Sequence, residues 1–170
     1  VSVVNNITAR KAGVAVGEYE ILLGGAAVIR DRIGPFEYEI SANSFFQTNT
    51  RGAQKLYETV GRFAALEGNE TVLDLYSGTG TIAIWLARQA GQVIGLELVE
   101  SAVADARKNC RINGIDNCRF VLGDIRQRLE EFLVSDSDQL FPLPRSLRWL
   151  DFIDPALAGG GLLSSDDFIE

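Results

Sequence analysis

An α/β fold with a doubly wound, mainly parallel sheet is predicted by three features of this 170-residue sequence. From Gly68 onward, short apolar strands alternate with amphipathic helices at the spacing of β-α-β units. Gly78 and Gly80 stand at the first strand-to-helix join, where the chain must turn tightly. An acidic residue stands at or just past the end of each strand in turn: Asp74, Glu97, Asp124 and Asp154.

Taken in order, the elements begin with two short strands, Val1–Ile7 and Tyr19–Leu23, separated by Gly13 and Gly17. Gly24, Gly25, Gly34 and Pro35 then punctuate the chain. Phe36, Tyr38 and Ile40 alternate with Glu37 and Glu39, the period of a half-exposed strand. A polar loop, Asn43–Thr50, leads to a helix starting near Arg51, with Asn49 or Thr50 as its N-cap. Ala53, Leu56, Tyr57, Val60, Phe63 and Ala64 are spaced for one buried helical face. The regular part then reads strand Thr71–Leu75, helix Thr81–Arg88, strand Gln92–Leu96 and helix Ser101–Ile112, closed by Asn113-Gly114. Strand Arg119–Leu122, helix Ile125–Leu133 and strand Leu147–Ile153 follow. The expected organisation is an N-terminal extension over 1–50 and a partial sheet domain over 51–170. The sheet stops at four strands, so the open edge of Leu147–Ile153 predicts pairing into a homodimer.

Composition narrows the class. Hydrophobic residues make up 46% and charged residues 23%, as in soluble globular domains. A net charge of −7 and a pI near 4.7 argue against a free-standing nucleic-acid binder. The sequence shows neither a bilayer-length apolar run nor an export signal, so a cytoplasmic location is expected, with Cys110 and Cys118 as reduced thiols. No metal-ligand set is predicted. Without any methionine, Val1 is not a natural start, and a longer parent chain is expected.

The strand ends carry the chemistry. In open parallel sheets, ligands bind beyond the carboxyl ends of the strands. Any one of the four acids reads as an N-cap, Asp124 above all, but four at successive strand ends read as a site. A carboxylate at the second tip suits ribose hydroxyls, and one after the third suits an adenine amino group. A nicotinamide dehydrogenase is the first rival, since Gly78-Thr-Gly80-Thr-Ile-Ala83 approximates the dinucleotide fingerprint. Asp74 and Tyr76 intervene before the glycines, however, and no Lys-Ser/Thr follows to make a P-loop. An acid opening the turn suits a cationic ligand without a pyrophosphate, such as S-adenosylmethionine.

Asp-Leu-Tyr-Ser-Gly-Thr-Gly-Thr (74–81), Gly-Leu-Glu (95–97) and Leu-Gly-Asp (122–124) resemble the class I S-adenosylmethionine-dependent methyltransferase fold. Ile-Ser-Ala-Asn-Ser-Phe-Phe-Gln-Thr-Asn-Thr (40–50) resembles the segment preceding that domain in the uracil-5 RNA methyltransferases, which make 5-methyluridine in tRNA or rRNA. The resemblance covers residues 36–155. It implies S-adenosylmethionine as cofactor and RNA as partner. It also implies cofactor contacts at Gln47, Asp74, Tyr76, Gly78, Gly80, Thr81, Glu97, Asp124 and Asp154. Glu97 would hold the ribose, Asp124 would lie near adenine, Tyr76 and Gly78 would shape the methionine side, and Gln47 would approach the reacting centre.

Two departures from the family accompany this. Its Asp-Pro-Pro-Arg-Ala-Gly segment reads Asp154-Pro155-Ala156-Leu157-Ala158-Gly159, without the arginine. Its nucleophilic cysteine, in Ser-Cys-Asn-Pro, and its general base are expected beyond residue 170, so the chain alone is expected to be inactive. Neither Cys110 nor Cys118 has the nucleophile's sequence context. The alternatives are a non-catalytic binding or interaction module derived from the family, and a methyltransferase acting on another substrate.

Overall fold

The computed structural model describes residues 1–9, 17–125 and 128. Strand β1 (Ser2–Ile7) pairs antiparallel with β2 (Tyr19–Gly25), with a register shift between Val3 and Val4. A second hairpin joins β3 (Val28–Ile33) to β4 (Phe36–Ser41) through Gly34-Pro35, pairing Ile33 with Phe36 across the turn. The strand β3 is not expected from the sequence, because Arg30, Asp31 and Arg32 interrupt its apolar pattern.

Helix α1 (Thr50–Ala64) opens at Asn49, whose side chain accepts from the Gly52 N–H at 3.0 Å. That bond satisfies one of the amides a helix start leaves unpaired. The buried column of α1 is Ala53, Tyr57 and Gly61, at steps of four residues. Leu56 and Phe63, expected on that face, are instead 52% and 68% exposed.

The sheet proper is parallel, in the order β5 (Thr71–Leu75), β6 (Gln92–Glu97), β7 (Cys118–Leu122). Helix α2 (Thr81–Ala87) joins β5 to β6, and α3 (Glu100–Ile112) joins β6 to β7. The central strand β6 is buried along nearly its whole length, as a strand covered on both faces must be. Its run Val93-Ile-Gly-Leu96 is correspondingly apolar without alternation. The bounds of these elements match the sequence expectation to within one residue. The expected helix 125–133 lies largely outside the described residues, and strand 147–153, its dimer edge and Asp154 lie wholly outside them.

The core joins the second hairpin to the helical layer. Ile33, Phe36, Tyr38 and Ile40 pack with Ala53, Tyr57, Ile84 and Val103. Trp85 of α2 meets Phe36 edge-on at 5.8 Å and Tyr57 at 5.9 Å, tying hairpin, α1 and α2 together. Glu39, expected on the solvent face of β4, is buried. Its charge is met by the Arg30 Nε at 3.0 Å and by the Lys108 ammonium of α3. A buried carboxylate is tolerated here because both oxygens have cationic partners.

Helix α3 closes the free edge of β4 with side chains. The Asn113 Oδ1 accepts from Glu37 N at 2.9 Å, and its Nδ2 donates to Glu37 O at 2.7 Å. Asn109 repeats the pair with Glu39, and Asp105 accepts from Ser41 N at 3.0 Å. Four helical residues rise about 6 Å and two strand residues about 6.7 Å, so the two columns stay nearly in step.

Candidate functional site

The carboxyl ends of β5 and β6 meet at the glycine turn. After Leu75 the chain passes through Tyr76 (φ +63°), Gly78 (φ +53°) and Gly80 (φ +79°) before α2 begins at Thr81. Ser77 N donates to Leu96 O at 3.0 Å, and Gly80 N donates to Ser77 O at 2.8 Å. A Cβ on Gly80 would lie 2.8 Å from the Phe120 ring and 3.1 Å from Ala106. Glycine is required there twice, by backbone conformation and by space. Among the described residues nothing lies within 4 Å of where a Cβ on Gly78 would stand, so this part of the turn is open toward them.

Tyr76 is an outlier. A bulky residue in the left-handed region carries strain of about 1–3 kcal/mol, and such strain concentrates at functional sites. Its ring is 76% exposed, so core packing does not explain the conformation.

Glu97, at the tip of β6, is 8% exposed. Its Oε2 accepts from Gly78 N at 2.8 Å, and its Oε1 accepts from Leu98 N at 2.8 Å and Val99 N at 2.9 Å. The carboxylate thus ties the glycine turn to the loop that starts α3. The sequence expectation left it free for ribose hydroxyls, whereas the structure gives it three backbone donors. A carboxylate offers about four acceptor sites, so only part of that capacity remains open.

Asp74 closes the floor of the turn. The residue is half-buried, but its Oδ2 is sealed from solvent and has no hydrogen-bond partner among the described residues. Burial, and then the nearby Glu97 charge, raise its pKa to about 7, while a backbone hydrogen bond at Ala83 pulls the other way. The buried Ser77 Oγ, three residues on in the same turn, is also without a hydrogen-bond partner among the described residues. Two buried polar atoms without a described partner, a carboxyl whose ionisation burial disfavours and a positive neighbour would favour, and an open glycine face fit a cationic ligand with hydrogen-bonding groups.

Thr81 begins α2, and its Oγ1 lies 3.0 Å from the Tyr57 hydroxyl of α1. Burial pushes that phenol upward in pKa. Asp124 stands exposed just past β7, where Gly123 N donates to Glu97 O at 3.0 Å and holds the tips of β6 and β7 together. Its own carbonyl accepts from Arg128 N at 2.9 Å, the geometry of a helix start. Gln47 is exposed on the segment between β4 and α1.

The structure therefore brings Asp74, Tyr76, Gly78, Gly80, Thr81 and Glu97 together at one junction, with Asp124 at the adjoining tip. Gln47 comes from a separate segment. Sequence reasoning missed Leu98, 62% exposed beside Glu97, and Leu122, which pairs in register with Glu97. An apolar residue directly after the strand-end acid would have pointed to Leu98, and one closing the strand before Gly123-Asp124 to Leu122. Both are exposed apolar side chains, one just past β6 and one at the end of β7.

Residues 66–141 match the model of a methyltransferase domain. The chain is 46% identical over 125 residues to an uncharacterized RNA methyltransferase of Chlorobaculum tepidum, covering 74% of this chain and 26% of that protein. It is 41% identical over 138 residues to one of Geobacter sulfurreducens, covering 81% of this chain and 28% of the relative. The chain thus spans little more than a quarter of the length of these relatives. Among solved structures it resembles the Pyrococcus abyssi tRNA (uracil-54, C5)-methyltransferase in complex with S-adenosyl-L-homocysteine. There the TM-score is 0.61 and the identity 36%, over 74% of this chain and 31% of that one. Among the described residues no helix is long and apolar enough to cross a membrane. The chain carries a methyltransferase domain of the class I, S-adenosylmethionine-dependent fold, and its relatives include RNA methyltransferases.

Proposed function

We propose that this chain is the cofactor-binding part of an RNA methyltransferase that transfers a methyl group from S-adenosylmethionine to C5 of a uridine in tRNA or rRNA. The observation that carries the reading is the β5–β6 junction, where Glu97 grips the Gly78 amide and a buried oxygen of Asp74 has no partner among the described residues. The pairing of that junction with the Ser44-Phe-Phe-Gln-Thr-Asn49 segment supports uridine C5 as the target.

Each residue then has a task. Glu97 holds the ribose with its remaining acceptor capacity, and Leu98 and Leu122 flank the adenine, with Asp124 at its amino edge. Asp74, Tyr76, Gly78, Gly80 and Thr81 surround the amino-acid side. A positive charge beside Asp74 lets that carboxyl ionise, so binding and deprotonation are linked. Gln47 approaches from the preceding segment, and Asp154, which lies outside the described residues, is assigned to the same set from the sequence resemblance. Bound, the cofactor supplies an electrophilic methyl group on a sulfonium.

The thiols of this chain do not supply the nucleophile. Cys110 is buried between α3 and β7, and Cys118 points its sulfur at Ala83 O, 3.6 Å away. A reactive thiolate needs exposure and a positive neighbourhood. RNA is the partner of the whole protein, and the location is cytoplasmic, where such RNA is found.

The test has two arms. Calorimetric titration with S-adenosylhomocysteine is expected to show one site, lost in Asp74→Ala. A labelled-methyl assay on unmodified tRNA and rRNA is expected to show no incorporation by this chain and C5 labelling of uridine by the longer protein that contains it. Absence of binding, or methylation at another atom, overturns the reading.

A further inference from the structure

We propose that Asp105 is a positioning residue. By gathering Ser41 and Ser44 onto one carboxylate oxygen, it holds the 42–49 segment, and Gln47 with it, in fixed relation to the glycine turn. The inference rests on the cofactor-binding reading above and names what aligns its two halves.

Three donors converge on the Asp105 Oδ2: Ser41 N at 3.0 Å, Ser41 Oγ at 2.7 Å and Ser44 Oγ at 2.7 Å. The two serine hydroxyls also lie 2.9 Å apart, and Asp105 itself is buried. Charge-assisted bonds of this kind are shorter and about twice as strong as neutral ones. One turn further along α3, Asn109 donates to both Glu39 O and Thr79 O, each at 3.2 Å. Thr79 belongs to the glycine turn. A single helix face therefore grips the start of the 42–49 segment and the cofactor turn together.

The far end of the segment is fixed independently. Asn49 caps α1, and Tyr57 of that helix reaches Thr81. Midway, Phe46 packs on Tyr38 with ring centres 5.6 Å apart. Between these anchors Gln47 sits exposed. With both ends held, its excursion is limited to a few residues of chain. With Asp105 removed, the Ser44 side chain loses its anchor on α3, and residues 42–45 keep only the Ser44 N to Ser41 O bond at 3.1 Å and the contacts of Ala42 O with Asn6 and of Asn43 with Gly17 N among the described residues.

A purely structural role, docking α3 to β4, is the rival account. Asn113 separates the two, because it makes the same kind of contact at the far end of the ladder without touching the segment. The experiment compares Asp105→Ala, Ser44→Ala, Ser44→Thr and Asn113→Ala by thermal unfolding, hydrogen exchange and calorimetry with S-adenosylhomocysteine. Asp105→Ala and Ser44→Ala are expected to speed exchange over residues 42–48 at least tenfold and to weaken binding at least fivefold. Ser44→Thr, which keeps the hydroxyl, is expected to stay within twofold of the parent. Asn113→Ala is expected to lower the unfolding temperature while leaving both readouts unchanged. Should Asp105→Ala fail to fold, Ser44→Ala carries the comparison. Equal loss of affinity in the Asn113 and Asp105 (or Ser44) variants, or unchanged exchange over 42–48, overturns the inference. If the parent chain binds no S-adenosylhomocysteine, the functional reading fails first and takes this inference with it.

Discussion

The Asn109 carboxamide pairs with both backbone groups of Glu39, accepting from its N–H at 2.8 Å and donating to its carbonyl at 3.2 Å. It thus does for β4 what a neighbouring strand would do. Edge strands with unpaired amides and carbonyls tend to recruit other chains. A helix with polar side chains at positions 105, 109 and 113 closes this one from within, and Asn109 alone extends the tie to Thr79.

Asn109→Ala is therefore expected to be among the most disruptive substitutions. It removes three hydrogen bonds at a fully buried position and leaves Glu39 and Thr79 backbone groups unpaired. Each orphaned buried group costs roughly 1–3 kcal/mol. Urea unfolding should show a loss of about 3 kcal/mol or more, and Asn113→Ala, at a half-buried site, a clearly smaller one.

The two turn glycines should separate stability from binding. Gly80→Ala drives a methyl group to 2.8 Å from the Phe120 ring in addition to imposing positive φ. Gly78→Ala imposes only the φ penalty, about 1–2 kcal/mol, because its Cβ would meet none of the described residues. Gly80→Ala is expected to lower the unfolding temperature more. Gly78→Ala is expected to stay folded and to lose S-adenosylhomocysteine affinity, as calorimetry would report.

Glu97→Gln keeps the shape but removes the charge that three backbone amides share. An amide has one acceptor oxygen, so at least one of Gly78, Leu98 and Val99 loses its partner. Binding of S-adenosylhomocysteine should weaken at least tenfold. Retention of full affinity would show that this side chain serves the fold alone.

Asp74 makes the folded chain sensitive to pH in a defined direction. Its ordinary value of 3.8 is raised to about 7 by burial and by Glu97. Between those values the folded state holds a proton that the unfolded state has released, so stability falls as pH rises. The contribution is complete below pH about 4 and lost above pH about 7, with an upper bound of about 4 kcal/mol. Asp74→Asn should abolish this component, so the variant gains on the parent as pH rises from 4 to 7 in parallel denaturant titrations. Affinity for S-adenosylmethionine in the parent should rise from pH 6 to 8, since a cation favours the ionised carboxyl, and should be flat in Asp74→Asn.

The regular β5–α2–β6–α3–β7 run was readable to within one residue because its signals are local. Apolar period, a glycine pair at the first turn and Asn113-Gly114 at the end of α3 each act over a few positions. The positions of Asp74, Glu97 and Asp124 at the ends of β5, β6 and β7 were readable for the same reason, since a parallel sheet sends every strand end to one edge. By itself the sequence thus determined the type of sheet, the turn and the residues that gather at its rim.

Only the tertiary structure decided which partners those residues take. Nothing in the local pattern of helix Ser101–Ile112 and its Asn113-Gly114 stop says that Asp105, Asn109 and Asn113 will meet β4, more than sixty residues earlier in the chain. Glu39 reads as exposed and is buried, because Arg30 and Lys108 arrive from two other elements. Leu56 and Phe63 read as core and face outward, and Glu97 reads as free but holds three amides. Local patterns fix backbone conformation over a few residues. The pairing of a buried polar group depends on whichever distant donor or acceptor the packed fold brings within about 3 Å.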